Sequence, residues 1–119
     1  MQAAELKQVL KDAREVELTV TGRKSGKEST RPVWFTEEDD KIYLLPVGGS
    51  EANWYKNLLL APRIWLAAEG AESETEAKPV TDAAAVNDVL AKFGEKYGES
   101  QVKQYYPDQD VAVEVTLGD

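Results

Sequence analysis

Val16-Glu17-Leu18-Thr19-Val20 leads directly into Thr21-Gly22-Arg23-Lys24-Ser25-Gly26-Lys27, and soon afterwards the chain reads Thr30-Arg31-Pro32-Val33-Trp34-Phe35-Thr36. The first run alternates apolar with polar residues, the period of a half-buried strand. The third run predicts a second strand, and Pro32 places it at an edge or a bulge. Between them lies a loop with two glycines and a cluster of cations in a chain that is otherwise acidic. Gly22 and Gly26 let the backbone take positive φ and approach a ligand closely. Successive N–H groups in such a turn form an anion-binding concavity. Arg23 and Lys24 add full charges, and arginine can hold a phosphate or carboxylate with two parallel bonds. Arg23, Lys24, Ser25 and Gly26 are thus candidates for gripping an anionic cofactor. The alternative for the same residues is a hairpin tip kept soluble by its cations, since short motifs recur by chance.

Working outward, Glu37-Glu38-Asp39-Asp40 reads as a polar turn and Lys41 to Leu45 as a third strand, which makes a three-stranded meander the simplest connection. Upstream, Leu6, Val9, Leu10 and Ala13 share one stripe of an amphipathic helix over Met1 to Arg14. Downstream, Pro46-Val47-Gly48-Gly49-Ser50 breaks the sheet. Ser50 is then a natural N-cap for a helix carrying Trp54, Tyr55, Leu58 and Leu59, which Pro62 ends. Arg63 to Ala68 returns as a strand, Glu69 to Glu76 reads as an acidic turn region, and Thr75 to Val80 as the hairpin partner. A third helix starts near Thr81 or Asp82, keeps Val86, Val89, Leu90 and Phe93 in helical spacing, and stops at Gly98. Glu99 to Gln109 reads as a polar connector, and Val111, Val113, Val115 and Leu117 as a last strand. The order α-β-β-β-α-β-β-α-β predicts an α+β fold over residues 1–119 as a single domain. Its six mostly antiparallel strands would close into a small barrel with flanking helices, which also protects the strand edges.

Composition excludes several chemistries. The 119 residues contain no cysteine and no histidine. That removes disulfides, thiolate nucleophiles, Ser-His-Asp triads and histidine-ligated metals. No acidic cluster has the ligand spacing of a calcium loop, so no metal is expected. A net charge of −8 opposes general nucleic-acid binding, so an anion has to be captured where cations cluster. No apolar run is long enough to span a bilayer and no secretory signal is visible, which predicts a cytoplasmic protein without a membrane partner.

Two further stretches can carry chemistry. In Pro46 to Asn57, PVGGSEANWYKN, the glycines expose backbone N–H groups just before a helix N-terminus, where the dipole favours an electron-rich group. Asn53 and Asn57 offer amides to a heterocycle edge, and Trp54 and Tyr55 serve either a ligand or the core. At Tyr105-Tyr106, a tyrosine hydroxyl can donate a proton or orient a substrate; otherwise the rings cover the barrel end. A chain lacking His and Cys, with an anion loop and an aromatic-rich glycine turn, suits a redox cofactor that brings its own reactivity.

TVTGRKSGKESTRPVWF followed by YLLPVGGSEANWYKNLLLAPRIWL resembles the deazaflavin-dependent nitroreductase family, part of the wider flavin-binding split β-barrel group that includes pyridoxamine-phosphate-oxidase-like proteins. The resemblance runs from about Leu18 to Leu66. It implies a split barrel that binds coenzyme F420, a deazaflavin with a phosphate-bearing tail. It places Arg23, Lys24, Ser25 and Gly26 on the phosphate, and Pro46, Val47, Gly48, Gly49, Trp54 and Asn57 against the ring system. Members often have another arginine soon after the loop; Ser29 stands there and Arg31 is the available substitute. Tyr105 and Tyr106 loosely match the tyrosines some members use at the substrate. The implied reaction is hydride transfer to a small-molecule substrate, an electron-poor alkene or nitro compound. The alternatives are an FMN-binding reductase or oxidase of the same fold, or a non-catalytic cofactor-binding protein. Members of this fold group commonly pair, so a homodimer is expected, with Trp34, Trp65 and the N-terminal helix as apolar surface for the partner.

Overall fold

A computed structural model describes residues 2–38, 40–107 and 109–117. The expected helix start at Met1, the turn residue Asp39 and the connector residue Asp108 lie outside them. Four helices, α1 (Gln2–Leu10), α2 (Asn53–Leu60), α3 (Ala83–Tyr97) and α4 (Glu99–Tyr105), flank seven strands. The strands are β1 (Val16–Thr21), β2 (Glu28–Val33), β3 (Phe35–Glu38), β4 (Lys41–Leu44), β5 (Arg63–Ala68), β6 (Ala71–Val80) and β7 (Ala112–Thr116). They form one curled antiparallel sheet in the order β2-β1-β5-β6-β7-β4-β3, a split barrel of α+β class.

Where the sheet bends, one strand serves both halves. The first part of β6 pairs with β5, from Ala68↔Ala71 to Arg63↔Glu76, and its last part pairs with β7, from Ala77↔Val115 to Val80↔Ala112. The residues taken as an acidic turn are therefore mostly strand, and the turn is only Glu69-Gly70, both at positive φ. Alternation along β1 sends Val16, Leu18 and Val20 into the core, where Ile64, Leu66, Val113 and Val115 meet them from β5 and β7. Each fully buried aliphatic side chain contributes roughly 1.5–3 kcal/mol relative to exposure.

The expected second strand is two strands. Continuity breaks at Trp34: β2 pairs with β1, and β3 pairs with β4 at the far end of the sheet. The expected three-stranded meander is thus two hairpins on opposite edges, and six strands become seven. Pro32 sits on the edge strand β2, where its missing N–H removes no inner ladder bond.

The break is held from α3. The Tyr97 hydroxyl accepts from Phe35 N at 3.1 Å, and its proton is shared between Arg14 O at 2.7 Å and Phe35 O at 3.0 Å. Asp82 caps α3 by accepting from Ala85 N at 3.0 Å, and Val86, Val89, Phe93 and Tyr97 face inward. Gly98, at φ +97, ends α3 and starts α4. The predicted connector is therefore mostly helix; α4 buries Val102 alone and so lacks a strong apolar stripe. Leu6 and Leu10 of α1 are 0% and 1% exposed within their own chain. They complete the barrel core instead of offering surface to a partner.

Tyr97→Phe removes the hydroxyl while leaving the ring, so it leaves Phe35 N without that acceptor. We expect about 1–3 kcal/mol lower stability in urea unfolding. A loss below about 0.5 kcal/mol would show that the hydroxyl does not tie the two half-sheets together.

Candidate functional site

The β1–β2 loop is shaped mostly by its own bonds. Gly22 N donates to Lys27 O at 2.8 Å and Gly26 N to Gly22 O at 3.0 Å. Lys27 N donates to Ser25 Oγ at 3.2 Å. A Cβ on Gly22 would lie 3.0 Å from Ser25 Oγ and 3.1 Å from Lys27 O, so a side chain there would have to push the turn open slightly. Gly26 supplies a left-handed residue at φ +73.

Arg23 points at α2. Its backbone N donates to Asn57 Oδ1 at 3.2 Å, its Nη1 reaches the same oxygen at 2.7 Å, and Nη1 lies 3.4 Å from Asn53 O. Asn57 therefore latches the loop onto the helix. Among the described residues, the loop N–H groups outside this network are those of Lys24 and Ser25. Both residues are exposed, as is Lys27.

The glycine turn is braced differently from the sequence expectation. Ser50 does not cap α2; it lies in a 3-10 turn at Gly49–Glu51, and the N-cap of α2 is Ala52, without a side-chain bond. Ser50 instead donates from N to Asp110 Oδ1 at 2.9 Å and from Oγ to Asp110 Oδ2 at 2.6 Å. Those two bonds hold the Asp110 carboxyl below the usual aspartate range. Gln109 adds Nε2 bonds to Pro46 O at 3.0 Å and Val111 O at 2.8 Å. Gly49 has φ +63, and a Cβ on it would collide with Asp110 Oδ1. The carboxylate reaches the turn only because that position is glycine.

Beside this turn lies a cavity of about 540 Å³, within the common range of roughly 300–1,000 Å³ for small-molecule sites. Val47, Trp54, Tyr105 and Tyr106, all expected from the sequence, line it together. Pro46, Gly48 and Gly49 shape its edge without lining it, and Arg23, Lys24, Ser25, Gly26 and Asn57 stand outside it. The sequence reading missed Trp34, Leu45 and Glu15 as walls and held Arg31 only as a substitute cation; all four line the cavity. A tryptophan directly after a proline-bearing edge strand was the available signal for Trp34.

Trp34 is the centre of an aromatic cluster. It stacks on Tyr97 with centroids 4.1 Å apart and planes 9° apart, and meets Tyr105 edge-on at 5.5 Å and Tyr106 at 6.3 Å. The two tyrosines of the pair differ. Tyr105 is 42% exposed, whereas Tyr106 is buried, and burial raises its hydroxyl pKa well above the usual tyrosine value. Arg31 supplies a cation on the wall, and the Arg23 guanidinium bonds the backbone of Asn53, another wall residue. A flat aromatic slot with cations along one rim can take a planar ring whose substituent is anionic.

A family model described as F420H(2)-dependent quinone reductase matches residues 2–118. No curated protein matches the chain. The fold recurs in solved structures, three of which follow. A conserved hypothetical protein from Mycobacterium tuberculosis is 20% identical with a TM-score of 0.79, covering 98% of this chain and 80% of that one. An F420-H2 dependent reductase is 20% identical with a TM-score of 0.68, covering 86% and 93%. The heme storage protein HutZ from Vibrio cholerae is 17% identical with a TM-score of 0.73, covering 98% and 89%.

The Asp110 brace generates a pH prediction. Its folded pKa lies below the unfolded value of about 3.9, so its contribution is complete above that value and is lost as pH falls through the lower folded pKa. Thermal melts should show wild type above Asp110→Asn at pH 6. The gap should close only below about pH 4; a gap that is constant down to pH 2.5 would refute the brace.

Proposed function

The chain belongs to the F420H(2)-dependent quinone reductase family, and from that membership we propose that its aromatic slot receives the ring of reduced coenzyme F420 beside a flat, electron-poor acceptor. That the protein is an F420-dependent reductase follows from the family; the acceptor, a quinone, an electron-poor alkene or a nitro compound, is the proposal. The observation that carries it is the cavity walled by Trp34, Trp54 and Tyr105 and rimmed by Arg31. The FMN alternative draws no support from the family match.

The cofactor, when bound, supplies the hydride. The residues present fit it: aromatic walls suit a planar ring system, and the cationic rim suits an acidic tail. Lys24, Lys27 and Arg31 would hold that tail, with the N–H groups of Lys24 and Ser25 beside them. Arg23, tied to Asn57, would act more by fixing the loop than by gripping the anion. Trp34, backed by Tyr97, keeps the acceptor flat and excludes water from one face. Of the two tyrosines, Tyr105 is the exposed one and is placed to donate its hydroxyl proton to the acceptor and regain one from solvent. Tyr106, with its hydroxyl buried, forms wall.

A homodimer is part of the same reading. Leu60 is 73% exposed, Val47 59% and Leu59 49%; Val47 lines the cavity, so a second copy seated on these side chains would also close the slot.

Lys24→Ala should weaken F420 binding roughly ten- to a hundred-fold, the loss of one or two charge-assisted bonds. Its melting temperature should stay at the wild-type value, because an exposed loop cation contributes little to folding. Arg23→Ala should lose both affinity and stability, since it also breaks the latch to Asn57. Tight FMN binding with no F420 binding would defeat the cofactor assignment. Tyr105→Phe should lower kcat with an unchanged cofactor affinity, and Tyr106→Phe should not; equal kcat values in Tyr105→Phe and wild type would remove Tyr105 as the donor.

A further inference from the structure

The aromatic slot has a positive and a negative end. The β1–β2 ladder runs from Thr21↔Glu28, beside the basic loop, to Val16↔Val33. Arg31, opposite Leu18, is two rungs closer to the loop than Val33. Glu15 and Trp34 are the next residues beyond the ladder's other end. Three residues of extended chain separate Arg31 from Trp34, about 10 Å. Arg31 and Glu15 both line the slot, and no ion pair joins them among the described residues. The backbone at Glu15 is held from both sides, since Arg14 O accepts from the Tyr97 hydroxyl at 2.7 Å and Val16 is 1% exposed. Its side chain is exposed, while the neighbouring Arg14 guanidinium lies over the Tyr97 ring at 5.1 Å. A second cavity, of about 680 Å³, opens across Trp34 and shares Glu15, Pro32 and Trp34 with the slot. Its wall carries Glu17 and Glu69 as well, against Arg14 as the one cation among the described residues. Around Trp34 the surroundings are thus aromatic and negative. Tyr105 and Tyr106 stand at 75° and 63° to the indole. Steeply inclined rings with a free carboxylate beside them suit a cation, which ring faces and carboxylate both attract.

We propose that Glu15 determines acceptor specificity: it favours a flat acceptor bearing a positively charged substituent and turns away one bearing a carboxylate or sulfonate. This rests on the reading that the slot takes the acceptor beside Trp34. The acidic cofactor tail belongs at the loop end, with Arg31 and Lys24. The acceptor's charged group belongs at the Trp34 end, where Glu15 is the unpaired charge. Arg31 does not cancel it, because ionic screening weakens their interaction over about 10 Å. Glu15 takes no part in hydride or proton transfer; it acts on binding alone. Its field reaches the ring that backs Trp34. Burial above all, and Glu15 in addition, raise the Tyr97 hydroxyl pKa, against the Phe35 hydrogen bond and Arg14.

The test is calorimetric titration of the full chain, with and without F420, against two probes. One is a naphthoquinone bearing a trimethylammonium group, the other the same ring system bearing a sulfonate. Wild type should bind the cationic probe roughly tenfold more tightly, the combined effect of one attraction and one repulsion at a hydrated site. Glu15→Gln, equal in size and exposed in the fold, should keep the melting temperature and bring the two affinities within about twofold of each other. Salt at about 1 M should do the same to wild type. Glu76→Gln removes the same charge from β6 at a residue that lines neither cavity, and should keep the preference. Equal affinities in wild type, binding of neither probe, or a preference that survives Glu15→Gln would overturn the proposal. So would its loss in Glu76→Gln, because overall charge would then be the cause. Reduction of the probes by reduced F420 is read separately. A full charge preference without turnover would defeat the acceptor reading of the slot and leave the selection of cations by Glu15 standing.

Discussion

The Tyr97 side chain joins three parts of the molecule. Its ring stacks on Trp34 and its hydroxyl serves both backbone groups of Phe35 and the carbonyl of Arg14. These contacts fall where the sheet is open. β2 and β3 follow one another in sequence but lie on opposite edges, so the barrel is closed there by packing and not by a strand ladder. A hydroxyl that satisfies several backbone groups in a dry setting is strong because the alternative is leaving them unpaired. The same stack fixes the plane of Trp34, and with it one wall of the aromatic slot. Fold closure and site geometry thus meet at one side chain of α3.

The second constraint is the brace on the glycine turn. Asp110 and Gln109 reach back over the Pro46–Ser50 backbone from the segment before β7. β7 is anchored between β6 and β4 in the middle of the sheet, so the turn inherits its position from the rigid part of the barrel. The β1–β2 loop gains the same advantage from α2 through Asn57. Two mobile-looking, glycine-bearing stretches are held by partners distant in sequence, as a site that must position a flat ligand requires.

Much of this was legible beforehand. Period-two alternation located β1 and β7, and helical spacing located α1 and α3, because each of these elements has one face in the core. Elements without such a face were misread. Helix α4 buries only Val102 along its length, and the acidic first half of β6 buries Ala71 and Ser73, small side chains that carry little hydrophobic signal. The strand break at Trp34 was invisible because both halves read as extended. Around the cavity, residue types did not disclose which partners each side chain takes. Asn57, expected against the ring, accepts hydrogen bonds from Arg23, and Ser50, expected as a helix cap, binds Asp110. Those roles depend on contacts across 34 and 60 residues of chain, which no local pattern encodes.

The charge distribution closes the physical account. A chain of net charge −8 is a poor host for an acidic ligand on average, yet screening limits that repulsion to about 8–10 Å at physiological salt. Within that distance the hairpin carries Arg23, Lys24, Lys27 and Arg31, while Arg23 is neutralised by no carboxylate among the described ion pairs. Glu17 and Glu28 lie on the same hairpin, and on β6 Glu74 meets Arg63 at 2.8 Å. With no histidine or cysteine in the sequence, placement and charge are what the chain itself offers, and that is the division of labour expected when a bound cofactor carries the electrons.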